Sequence, residues 1–458
     1  MSPADGCGDI APPRTLMARS QKGPVMRWTL ISLTTAALVL SGTATATAGQ
    51  DPVTRWIDRH AAVLDSADPA APSHDLRPFG RMVGGALVVG LGESSHGSRE
   101  QFRLKHRMVR YLVEHKGFRT VAFENDFAGG LDIDRYVRTG EGDPDALVAD
   151  MSSPLWATEE IAGLLRWMRA YNETHADQVR YLGADLLVLR ESSFEAISRY
   201  VGGVAPDRMA ELERDLATIR PTLPRHEHLL AYLRMSGEER QPRIDAARRV
   251  NRLVESLHPR DEYAAQHART VLGWHEYYAA DGFSAERERF IADTVGWWQR
   301  TAGGRIAYWA ASAHTAAAPE ATFRMPFGSM TGTWAGGHLR RRLGPAYVSV
   351  GVTFGSGSVN SGIPPEGPAP HPVGPPAPGM LEATLESARP GLFVLDTQAH
   401  APAQVRRWRA APLTTRMIHP LYVTGQDANA YTLSTASLTS TFDIVVHTTA
   451  TSPSQLVR

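Results

Sequence analysis

Cysteine is almost absent from this chain, with one residue, Cys7, in 458. Lysine is nearly as rare: Lys22, Lys105 and Lys116 stand among many arginines. Neither sign of charge prevails, because 48 basic side chains meet 48 acidic ones. Each shortage excludes something. Without cysteine beyond residue 7, the body of the chain has no disulfide framework, no thiolate nucleophile and no cysteine-ligated metal. Without a basic surplus there is no electrostatic footprint for nucleic acid. The longest apolar run is too short for a comfortable membrane span, so no stable membrane anchor is expected. Walker A and Rossmann glycine fingerprints are missing, so no cofactor is expected. No G-x-S-x-G elbow presents a serine nucleophile, and Gly355-Ser-Gly-Ser-Val is not one.

What is present begins with a leader. Arg27 precedes an apolar stretch of about 15 residues at 28–42 (WTLISLTTAALVLSG), and Ala46-Thr47-Ala48 has the small-residue pattern of a signal-peptidase site. Residues 1–48 therefore read as a signal peptide, residues 49–458 as the working domain, and the protein as secreted. Removal of the leader leaves a net charge of about −2.

The rest has ordinary globular composition, 43% hydrophobic and 21% charged. Short apolar runs at 86–91, 120–123, 179–183, 305–310, 347–353, 392–396 and 442–447 alternate with helical patterns. Most are continuous rather than alternating, as in strands buried on both faces. The pattern predicts an α/β fold with a central, mostly parallel sheet flanked by helices. A charged, helical block at about 188–300 is too long for a crossover and reads as an insertion over the active-site cleft. The proline-dense stretch 361–379 reads as a surface loop.

Candidate chemistry collects at strand ends. After the run at 86–91 a glycine turn presents Glu93 and His96, three residues apart. A helix follows, with a Ser98/Gln101 capping box and Gly117 as its stop. Helical spacing places Lys105 on the inward face with Phe102, Met108, Val109 and Leu112. Glu124, Asp185 and His314 each lie just past another apolar run. Ligands of open α/β sheets bind beyond the carboxyl ends of the strands, so these groups can converge. Taken singly, each has a structural reading: a helix cap for Glu93 or Asp185, a satisfied core histidine for His314, a rim lysine reaching solvent for Lys105. Two chemistries use such a set. A histidine can activate water beside a carboxylate and a cation, or the same side chains can hold a divalent metal that does so. Spacing does not choose between them.

Several segments together resemble the erythromycin esterase family. They are GLGESSHGSREQFRLKHRMVRYLVEHKGF from Gly90, AFENDFAGGLDIDRYVRTGEGDP from Ala122, WATEEIAGLLRWMRAYN from Trp156, ERERFIADTVGWW from Glu286, YWAASAHT from Tyr308, and GTWAGGHLRRRLGPAYVSVGVTFGSG from Gly332. The resemblance runs from about Thr54 to the C-terminus. It implies an α/β core with helices over a deep cleft, and hydrolysis of an ester typified by a macrolide lactone without a required metal. It also implies that His96 is the general base, with Glu93 beside it, and that Glu124 and His314 complete the polar cluster. Lys105 falls where the family has a basic residue, and substrate contacts are expected from Lys105, Trp156 and Asp185. Aromatic residues at 274–278 suit an apolar cleft or a core. In one respect the chain departs: Ala311 stands where family members often carry a histidine, three positions before His314. A metal-dependent hydrolase on the same side chains, or a secreted binding protein on a degenerate esterase scaffold, are the alternatives.

Overall fold

The computed structural model describes residues 51–280, 285–363, 365–388 and 391–457, so the leader expected at 1–48 lies outside it. All seven apolar runs form strands. In chain order the strands are β1 (Ala62–Val63), β2 (Val88–Leu91), β3 (Phe118–Asp126), β4 (Arg180–Asp185), β5 (Arg305–Trp309), β6 (Ala321–Met325), β7 (Gly328–Gly332), β8 (Tyr347–Ser361), β9 (Ala369–Val373), β10 (Leu392–Asp396), β11 (Leu413–Arg416), β12 (Thr432–Thr435) and β13 (Ile444–Thr451). The main sheet has the order β1-β10-β13-β8-β2-β5-β3-β4, with β9 on the edge of β8. From β13 through β4 every pairing is parallel, whereas β1, β9 and β10 pair antiparallel with their neighbours.

Both faces of the parallel centre are covered, which is why its strands are continuous apolar runs. Val89, Leu91, Val121, Phe123 and Trp309 pack on one face with Phe102, Met108 and Leu112 of the helix Arg99–Lys116. Val88, Ala122, Leu182, Ile306 and Tyr308 pack on the other with Ile291, Val295 and Trp298 of the helix Ala285–Thr301. Between β4 and that helix run five further α-helices, from Glu191–Val204 to Glu262–Ala279. They bury a core of their own around Phe194, Leu212, Val250 and Trp274. No helix among the described residues is long and apolar enough to cross a membrane.

Two features depart from expectation. The proline-dense stretch 361–379 contains β9, whose prolines are tolerated because it is an edge strand. A second, antiparallel sheet in the order β11-β12-β6-β7 was not anticipated. Its strands are only four or five residues long; β7, β11 and β12 are rich in Thr, Ser and Gly, and β6 alternates buried apolar with more exposed polar residues.

Candidate active site

Glu93, Glu124, Asp185 and His314 come from the carboxyl ends of four adjacent parallel strands, β2, β3, β4 and β5. The parallel sheet alone puts residues more than two hundred positions apart within reach of one another. They form two hydrogen-bonded groups.

The first centres on Glu93, which is fully buried. Its Oε1 lies 2.6 Å from Nδ1 of His96, and its Oε2 accepts from Lys105 Nζ at 2.5 Å and Trp309 Nε1 at 3.0 Å. Lys105 points inward, as its spacing requires, over the Trp309 ring at 4.3 Å. Burial pushes its ammonium down to about 8, against the pull of Glu93. Because a carboxylate is the partner of Nδ1, that nitrogen carries the proton, and Nε2 of His96 is the acceptor. The His96 ring meets Trp156 edge-on at 5.2 Å.

The loop holding His96 is braced from the helix behind it. Ser98 caps that helix, its hydroxyl accepting from the Gln101 N–H at 3.2 Å. Gln101 does not complete the expected capping box. Its Oε1 accepts instead from the N–H groups of Ser94 and Ser95 at 3.0 and 3.3 Å, and its Nε2 donates to Ser94 Oγ at 2.7 Å. These bonds satisfy two buried amides of the loop, a stronger demand than a second cap. At Gly97 the backbone passes so close to Asn360 that a Cβ would sit 1.9 Å from its carbonyl oxygen.

The second group centres on His314. Its Nε2 is 3.1 Å from Glu124 Oε1, and its Nδ1 is 2.8 Å from Glu288 Oε2. Burial alone would lower this imidazole, but Glu124 and Glu288 outweigh it and raise it to about 10. His314 is therefore an imidazolium at neutral pH, donating from both nitrogens. Burial would raise the carboxyl of Glu124, yet the charges and hydrogen bonding of His314, with the charge of Arg287, hold it well below the usual range. Arg287 donates to Asp185 Oδ1 and Oδ2 at 3.1 and 2.5 Å and to Glu124 Oε1 at 3.3 Å. Glu124 Oε2 also accepts from the Ala311 N–H at 2.8 Å.

These groups border a cavity of about 850 Å³, within the range of small-molecule sites. His96, Glu124, His314 and Trp156 line it, together with Trp274 and Tyr277. Glu93, Lys105 and Asp185 do not. They are wholly buried behind the wall, so contact with a bound molecule falls to Trp156 alone among the three expected to make it. The unanticipated second sheet supplies part of the wall through Phe323, Met325, Phe327 and Met330. Along the wall the cations Arg287 and His314 face Glu124 and Glu288, and Arg225 adds a further cation paired with Asp150. Among the described residues, no group of three or more His, Cys, Asp or Glu side chains is arranged to hold a metal ion.

Arg287 and Glu288 were not singled out from the sequence. A signal existed: Glu288, Ile291, Val295 and Trp298 share the buried face of one helix, so a glutamate stands at a core position. His419, on another part of the wall, follows β11 and carried no such signal.

The sequence profile of the family described as erythromycin esterase matches residues 113–451. A Bacillus subtilis (strain 168) protein named for a hydrolase, YbfO, is 25% identical over 375 residues, covering 74% of this chain and 80% of its own. Erythromycin esterase type II of Escherichia coli is 34% identical over 112 residues, 24% of this chain and 26% of that one. A crystal structure of a Bacillus cereus protein superposes with a TM-score of 0.76 at 26% identity, covering 89% of this chain and 98% of that one. A protein described as a succinoglycan biosynthesis protein gives a TM-score of 0.74 at 28% identity, over 88% and 98% of the two chains. An erythromycin esterase mutant in its open conformation, 17% identical, shares the fold with a TM-score of 0.65 over 86% of this chain and 98% of that one.

Proposed function

Since this chain belongs to the erythromycin esterase family and has relatives named as hydrolases, we propose that it cleaves a carboxylic ester with water activated by His96, the best substrate being a bulky macrocyclic lactone such as a macrolide. The observation that carries this reading is the placement of His96: Nδ1 bound by buried Glu93, and the ring on the wall of a large, aromatic-lined cavity.

Nε2 of His96 takes a proton from water as the water oxygen bonds to the carbonyl carbon. The carbonyl π pair moves onto its oxygen. When the pair returns, the bond to the alkoxy oxygen breaks, and His96 passes its proton to the leaving alkoxide. The products are a carboxylic acid and an alcohol, joined in one molecule when the substrate is a lactone. Glu93 keeps His96 in the required tautomer and steadies the imidazolium that forms. Lys105 and Trp309 hold Glu93, and Asp185 holds Arg287, so Lys105 and Asp185 are positioning residues.

The reading includes independence of metal, since His96 supplies the base. It includes export, directed by the leader pattern at 1–48.

The test is mass spectrometry of products from a panel of macrolides and aryl esters, with and without EDTA. A product heavier by one water, insensitive to EDTA and lost in His96→Asn, is expected. Unchanged turnover by His96→Asn would remove the general base assigned here. Activity abolished by EDTA and restored by a divalent ion would favour the metal-dependent alternative.

A further inference from the structure

The cavity wall carries another imidazole that the mechanism above does not use. His419 belongs to the segment 417–420, all four residues of which line the cavity. That segment is tied to the loop bearing the base: the Ile418 N–H donates to the Ser94 carbonyl at 2.7 Å, and Ser95 and Ile418 form a parallel bridge. From behind, the Met417 N–H donates to the Tyr431 carbonyl at 3.0 Å and the Ser361 hydroxyl to the His419 carbonyl at 3.2 Å. Phe323 lies against the His419 ring, tilted, at 5.8 Å, and Phe327 meets it edge-on at 5.6 Å. Backbone hydrogen bonds and ring contacts thus position His419 on the wall.

The proton on that ring is placed by its neighbours. The Leu421 N–H donates to Nδ1 of His419 at 3.1 Å. An amide N–H can only donate, so Nδ1 is the bare nitrogen and the neutral ring carries its hydrogen on Nε2. Burial pushes this imidazole down to about 4. His419 is thus the complement of His96: a carboxylate on Nδ1 makes Nε2 of His96 an acceptor, and an amide on Nδ1 makes Nε2 of His419 a donor. Several nearby donors are engaged elsewhere. The Ala311 N–H is held by Glu124, both nitrogens of His314 by carboxylates, and Nε and Nη2 of Arg287 by Asp185 and Glu124. Nε2 of His419 has no hydrogen-bond partner among the described residues.

We infer that His419 is a further catalytic residue, donating its Nε2–H to the carbonyl oxygen of the scissile ester and holding the oxyanion as water adds. This rests on the ester-hydrolase reading above. His419 exchanges no proton: the proton from water goes to His96, and the electron pair that shifts onto the carbonyl oxygen receives the Nε2–H hydrogen bond. A neutral donor suits the task because it does not surrender its proton to the alkoxide.

Two measurements on wild type, His419→Ala and His419→Gln test this: ester hydrolysis, and calorimetric binding of an aryl phosphonate monoester, whose tetrahedral anion resembles the adduct. In His419→Ala, kcat is expected to fall about 100-fold or more, with KM within about threefold of wild type. Phosphonate affinity should fall with kcat, and the amide donor of His419→Gln should recover part of both. Hydrolysis and phosphonate binding in His419→Ala within about threefold of wild type would overturn the assignment. If wild type hydrolyses no ester, the function above fails, and phosphonate binding still decides His419: binding lost in His419→Ala supports the donor, whereas equal binding, or none by wild type, overturns it. Nitrogen-15 spectra of the histidines at neutral pH should show His419 as the Nε2–H tautomer, and an Nδ1–H or charged ring would contradict the inference.

Discussion

The peptide unit shared by Ala310 and Ala311 joins the two ionic groups of the site: its carbonyl accepts from Lys105 Nζ at 3.2 Å and its N–H donates to Glu124 at 2.8 Å. The peptide lies just past the end of β5, between the strands that carry Glu93 and Glu124. A shift of that peptide disturbs the partner of the base and the partner of the cation together, so substitutions in one group are expected to be felt in the other.

Lys105 is the first test. With its ammonium lowered to about 8, it is charged below that pH and increasingly neutral above it. Loss of the charge leaves Glu93 buried without a cation and removes the support for the His96 tautomer. The profile of kcat/KM against pH should therefore carry an alkaline limb near 8, moved upward in Lys105→Arg. Lys105→Met should destabilise the protein by about 3–5 kcal/mol, because it strands a buried carboxylate. An alkaline limb that stays in place in Lys105→Arg would refute the assignment of that limb to Lys105.

His314 gives a stability signature of known sign. Its folded value, about 10, lies above the ordinary 6.5. The folded state therefore binds the extra proton between those values. The contribution is complete below about 6.5 and declines as pH rises towards 10, by up to about 1.4 kcal/mol per pH unit. Urea unfolding of wild type and His314→Gln at several pH values between 6.5 and 9 measures it. The gap between the two proteins should narrow as pH rises, and a constant gap would contradict the imidazolium.

Gln101→Leu tests the brace on the base loop. It leaves the buried N–H groups of Ser94 and Ser95 without their acceptor, at about 1–3 kcal/mol for each group left unpaired. Because His96 lies one residue beyond, kcat should fall more than the change in KM. A variant of wild-type stability would show that the loop finds other partners.

Gly97→Ala tests the close approach. A Cβ 1.9 Å from the Asn360 carbonyl oxygen cannot be accommodated without moving one backbone or the other. A loss of more than about 2 kcal/mol in unfolding free energy is expected, with a fall in kcat, since overpacking against a rigid backbone is at the upper end of such costs. Circular dichroism melts and the hydrolysis assay read both.

Much of this was legible in residues. The continuous apolar runs identified the strands of the parallel centre because a sheet covered on both faces requires apolar side chains pointing both ways. Lys105 was legible as inward because helical periodicity leaves it no other face. The short antiparallel sheet was not legible, since its strands are four or five residues long, three of them rich in Thr, Ser and Gly, and too short for a period to stand out. The edge strand β9 was hidden by its prolines, which argue for a loop wherever the partner strand is unknown.

By itself, then, the sequence determined the fold class, the family and the local pairing of Glu93 with His96, because these depend on periodicity and on residues near one another in the chain. Only the tertiary structure decided which nitrogen of each histidine carries a proton. His314 is charged because Glu124 from β3 and Glu288 from a distant helix meet at its two nitrogens. His96 faces the cavity as an acceptor because Glu93 occupies Nδ1, and His419 faces it as a donor because the Leu421 amide does. An isolated imidazole titrates near neutrality, so its chemical role is set by partners that long-range folding brings to it.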